Sequence, residues 1–143
     1  MTILLIALGC LPFAFGGVLN WYMLQYVDTT PPLFLIGVLF LVLWSAIAFL
    51  MWPRMESTRK TVLWLHLAAL LVLILLGVQE LIVGAYWSNA VGLWTQLFYL
   101  PVIPIGFSLT MWSGSMLPAY LVSFGLMAVV SVIGCNWRKI LSK

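Results

Sequence analysis

The chain is 143 residues long, 65% hydrophobic and only 6% charged, with six Lys and Arg against three Asp and Glu. A soluble domain carries charge on about a quarter of its residues, so a water-exposed fold of this size is excluded. The net charge of +3 is gathered into two short clusters, which excludes the broad basic face that a nucleic acid requires.

The apolar runs are continuous rather than alternating with period two. That pattern selects transmembrane helices over a β-barrel and makes the lipid bilayer the first partner. The first span is predicted over residues 3–26. Its opening residues contain no Lys or Arg, so it reads as a retained helix and not as a cleaved leader. Gly9, Pro12, Gly16, Gly17 and Asn20 lie along it, and Trp21, Tyr22 and Tyr26 close it at an expected interfacial belt. Asp28 to Pro32 is a turn, because paired prolines cannot continue a helix.

The second span, 33–52, is almost wholly apolar. Residues 53–60 form the most polar stretch, with Arg54, Glu56, Arg59 and Lys60. The third span, 61–87, is longer than a hydrocarbon core of about 30 Å needs, which predicts tilt or protruding ends. Residues 93–112 are apolar but broken by Pro101 and Pro104. The last span covers 116–136, followed by Arg138, Lys139 and Lys143.

Loops rich in Lys and Arg stay in the cytoplasm. That rule places residues 53–60 and the carboxyl terminus inside, the turn at Asp28 outside, and the amino terminus inside. All cations share one side only if residues 93–112 dip into the membrane and return outward. The expected fold is an all-α integral membrane protein, a four-helix transmembrane bundle with a proline-broken re-entrant or interfacial segment. It is multi-pass in the cell membrane, with both termini cytoplasmic. Five transmembrane helices are the alternative.

Glu80 is the one acid inside a span, and an intramembrane ionisable residue is a functional candidate. At about 100° per residue, His66, Leu73, Gly77, Glu80 and Gly84 share one stripe. Gly77 and Gly84 are expected to admit a neighbouring backbone there, as are Gly9 and Gly16 on the first helix. Asn20 reaches a depth similar to that of Glu80. With Gln96 and Tyr99 of the broken segment, it is expected to meet the acid in a polar pocket of the outer half. Two uses fit such a pocket: a lock between helices, or a site for a proton, cation or substrate. His66 is expected to bond at the interface.

Cys10 and Cys135 read as packing residues, and no Cys or His spacing suits a metal. No cofactor motif is present. No serine has a His or acid spaced to activate it, and no Arg or Lys lies inside a span to polarise a substrate. The expected function is that of a non-catalytic accessory, assembly or immunity-type partner, bound to other membrane-protein subunits or to copies of itself. The alternative is an oligomeric small transporter or channel subunit using the polar pocket around Glu80. Scarcity of polar residues to line a pore weighs against it.

Overall fold

The computed structural model of the chain describes residues 2–28, 31–55 and 57–142. Glu56 and Lys143, which belong to the two charged clusters, lie outside the described residues. Among those described the chain is helical, with no strand.

The first span is two helices, α1 (Thr2–Gly9) and α2 (Leu11–Gln25), interrupted at Cys10. Pro12 causes the break, since it has no N–H for the Leu8 carbonyl and its ring crowds that oxygen. α3 (Leu33–Met55) runs beyond the expected end at Trp52, with Pro53 and Arg54 in its last turns. A proline so near the end removes one ladder bond without breaking a long helix behind it.

The third span starts earlier than expected and is not straight. It comprises α4 (Thr58–Leu65), α5 (Leu67–Val78) and a π-helical turn, Gln79–Val83, with a 48° bend between α4 and the rest. Ser57 sets the start, its hydroxyl accepting the Lys60 N–H at 3.5 Å. The bend falls at His66. Its backbone N–H and its ring Nδ1–H both reach the Val62 carbonyl, at 3.0 and 2.9 Å. A side chain inserted into the ladder is an established cause of kinking. The span then stops at Val83 rather than Trp87, because Gly84 turns left-handed at φ +73°. The Gly84 and Ala85 N–H groups both close onto the Gln79 carbonyl.

α6 (Ala90–Tyr99) and α7 (Ile103–Leu109) are bent by 72° relative to each other at the break around Pro101. α8 (Leu117–Leu141) completes the chain and continues past Asn136. Among the described residues, three stretches are long and apolar enough to cross a membrane: Thr2–Gln25, Leu33–Met55 and Leu117–Leu141. The number rises to five if each bent pair counts as one span.

The broadest packing is between α3 and α8. Gly134 lies against the Ser45 carbonyl and hydroxyl, the Cys135 thiol points at the Ala48 carbonyl at 3.7 Å, and the Arg138 guanidinium sits 5.2 Å from the Phe49 ring centre. These partners rise in number together, so the two helices run parallel. Small residues make the close approach possible, as is usual where membrane helices meet. The seam Ser123, Met127, Ser131, Gly134 and Cys135 is buried along α8.

Parallel pairing has a consequence for charge. The carboxyl-terminal ends of α3 and α8 lie together, and α4 begins just after α3. Arg54, Arg59, Lys60, Arg138 and Lys139 therefore gather at one end of the bundle. The π-turn and the start of α8 lie at the other end, and the α6–α7 pair connects them. It is wedged in by three close approaches: Gly16 against the Leu97 carbonyl, Gly37 against Pro101 and Ile105, and Gly106 against the Ala119 carbonyl.

Candidate functional site

One stripe of the third span faces the core: Leu65, Ala69, Val72, Leu73, Leu76 and Gln79, all buried. Their spacing of three and four is that of a helix face. Gln79, not Glu80, takes the innermost polar position. The stripe expected from His66 to Gly84 presumed a straight α-helix, and the bend and the π-turn both alter that register. Glu80 is consequently half-buried, at the edge of the bundle.

Glu80 accepts a hydrogen bond from the Tyr86 hydroxyl, six residues on and past the π-turn. The Ser115 hydroxyl and the Met116 and Leu117 N–H groups also face its carboxylate. Those N–H groups are the free donors at the start of α8, which has no side-chain cap and no acid of its own in its first turn. A carboxylate from the third span thus stands near that uncapped end, where the helix dipole favours negative charge. No Lys or Arg pairs with Glu80 among the described residues.

Beside it, two glutamines clasp one residue of the following turn. The Gln79 Oε1 accepts the Trp87 N–H at 2.9 Å, and the Gln96 Nε2 donates to the Trp87 carbonyl at 3.3 Å. The Gln79 Nε2 also donates to the Thr95 hydroxyl at 3.2 Å, which passes its own hydrogen to the Gly92 carbonyl at 2.7 Å. Asn89 caps α6 by accepting the Gly92 N–H at 2.9 Å. The network joins the end of the third span to α6, and its buried members are satisfied, as a low-dielectric site demands.

The other residues named from sequence go elsewhere. The fully buried Tyr99 donates its hydroxyl to the Ala69 carbonyl at 2.7 Å, about three turns of helix before Glu80. Asn20 is half-buried on α2 and makes no side-chain hydrogen bond among the described residues. Glu80, Gln96, Tyr99 and Asn20 are thus not one constellation. Gly9 and Gly16 are close-approach positions, against the Leu65 and Leu97 carbonyls. Gly77 is not, since a Cβ there would find only the Leu117 side chain, at 4.0 Å. Gly84 has nothing within 4 Å and serves instead as the left-handed end of the π-turn.

His66 is buried among the helices. The Trp44 indole N–H donates to its Nε2 at 3.3 Å, while its Nδ1–H is bound to Val62. Trp44 and Phe124 stand edge-on to the ring on either side. Cys135 is buried and Cys10 exposed.

Sequence reading missed Tyr86, Thr95 and the Trp44–His66 pair. Only Gln79 carried a usable signal, its place on the apolar stripe of three-and-four spacing. A cavity of about 480 Å³ lies away from this network, between Phe15, Leu19, Tyr22, Ile36 and Pro101. Its walls are apolar. No three His, Cys, Asp or Glu side chains come together among the described residues. No family model, no curated protein and no solved structure matches the chain.

Proposed function

We propose that the chain is a multi-pass protein of the cell membrane with four transmembrane spans, α6–α7 being a re-entrant hairpin and both termini cytoplasmic. It acts as a non-catalytic accessory, assembly or immunity-type partner of a larger membrane complex. The gathering of the described cations at one end of the bundle supports the orientation, through the preference of Lys and Arg for the cytoplasmic side. Irregular backbone at membrane depth is tolerated where protein buries it, and Pro101 and Val102 are fully buried.

One observation carries the choice of role. Three polar side chains at the end opposite the cations are engaged within the fold: Glu80 by the Tyr86 hydroxyl, Gln79 by Thr95 and the Trp87 backbone, Gln96 by the Trp87 backbone. A transporter or channel subunit needs polar groups free to replace the hydration of its cargo. Here they hold helices in register, which suits a rigid body presented to other subunits.

Gentle extraction of native membranes into lipid nanodiscs, followed by mass measurement of the intact particle, tests the role. The expected result is a stoichiometric complex with other membrane subunits. A particle containing only copies of this chain would overturn the partner role in favour of the transporter reading.

A further inference from the structure

We infer that a cavity at the cationic end is a binding site for a phosphoryl group, carried by an anionic lipid headgroup or by a soluble phosphate ester. The cavity measures about 290 Å³ and is lined by Trp52, Ser57, Thr58, Arg59 and Lys139. That is room for a phosphate and several waters, each water needing about 30 Å³.

The convergence of charge is the leading observation. Arg59 comes from the first turn of α4 and Lys139 from the last turns of α8, far apart in sequence. They meet because α3 and α8 run parallel and α4 follows α3 directly. Neither forms an ion pair among the described residues. Of the three acids in the chain, Asp28 and Glu80 lie at the opposite end and Glu56 lies outside the described residues. Two like charges facing one cavity repel each other, and an anion between them converts that repulsion into attraction.

The rest of the lining matches phosphate oxygens. A guanidinium forks onto two of them, and an ammonium adds a mobile point charge. The Ser57 hydroxyl accepts from Lys60 and keeps its own hydrogen to donate. Thr58 offers a second hydroxyl. The Trp52 ring forms the remaining wall, and its indole N–H is buried without a partner among the described residues. A tryptophan at the end of a span marks headgroup depth, and basic pockets between helices on that side are suited to anionic headgroups. The site is independent of the partner role proposed above.

The test uses the full chain in nanodiscs containing phosphatidylglycerol and phosphatidylcholine, with retained lipid measured by native mass spectrometry. A second arm titrates inorganic phosphate into delipidated protein in a neutral detergent. The wild type is expected to retain phosphatidylglycerol over phosphatidylcholine, and the double variant Arg59→Gln/Lys139→Gln to lose about tenfold in that preference. Arg54→Gln/Lys60→Gln removes as much charge from the same end without touching the cavity, and is expected to behave as wild type. Lys139→Gln alone, at an exposed position, serves as the reading if the double variant misfolds. Phosphate binding that needs Arg59 and Lys139, with no lipid preference, would assign the same site to a soluble ester. Equal losses in the two double variants, or no binding of either phosphate form by the wild type, would overturn the site.

Discussion

Trp44 and His66 hold each other inside the bundle, the indole N–H of one donating to the Nε2 of the other at 3.3 Å. Both are buried, and His66 is also the point where the third span bends. Trp44→Phe leaves a buried ring nitrogen without a donor and is expected to destabilise by about 1–3 kcal/mol. Trp44→Phe/His66→Leu removes both partners and is expected to cost less than the sum of the single changes. Coupling between buried polar groups in membrane proteins averages about 0.6 kcal/mol and reaches about 1.7. A double-mutant cycle on reversible unfolding in mixed micelles measures it, and strict additivity would show that the bond contributes nothing.

Gln79 offers a sharper case, because one side chain serves two partners. Gln79→Leu strands the Trp87 N–H and removes the donor to Thr95, so a loss of about 2 kcal/mol or more is expected. Hydrogen exchange should accelerate at the Trp87 amide well beyond the rates elsewhere in the turn. Unchanged protection at that amide would refute the clasp.

The glycines separate by environment. Gly16→Ala pushes a methyl into the Leu97 carbonyl and is expected to cost about 1–3 kcal/mol. Gly84→Ala keeps its space but must hold a left-handed backbone, at about 1–2 kcal/mol. Gly77→Ala meets nothing closer than 4.0 Å and gains helix propensity, so it is expected to be neutral or to stabilise by up to about 1 kcal/mol. Thermal unfolding of the three variants in one detergent ranks them.

Glu80→Gln retains an acceptor for Tyr86 and loses only the charge at the start of α8, an effect of about 0.3–1 kcal/mol. Glu80→Leu also abandons the Tyr86 hydroxyl and is expected to lose a further 1 kcal/mol or so. Unfolding of the two variants side by side measures that bond: a larger loss in the Gln variant than in the Leu variant would show that Tyr86 gains nothing from it.

Membrane orientation is open to direct measurement. In a variant lacking Cys10 and Cys135, a cysteine at Ser142 is expected to label from the cytoplasm and one at Ser113 from outside. Ser113 labelling from the cytoplasm would make α6–α7 a crossing and raise the span count to five.

The membrane class and the positions of the apolar segments were legible from run length alone, because a bilayer imposes that length on any sequence. Pro101 and Pro104 likewise marked the 72° break between α6 and α7. The polar network was not legible, for a reason visible in the third span. A constant 100° step puts Gly77, Glu80 and Gly84 on one face, but the π-turn adds a residue to its turn and rotates every later position. The bend at His66 likewise changes the direction of the span, so one straight stripe cannot run from His66 to Gly84. Gly9 and Gly16 stood out as small residues in a span. Their partners, the Leu65 and Leu97 carbonyls, belong to segments remote in sequence, and local pattern carries no information about those.

The pairing of Ala48 with Cys135 joins positions separated by 87 residues. During synthesis α3 leaves the ribosome long before α8 exists, so the face of Ser45 and Ala48 that receives α8 stays uncovered by it until α8 has been made. A nascent chain cut short before α8 has no means of closing that seam.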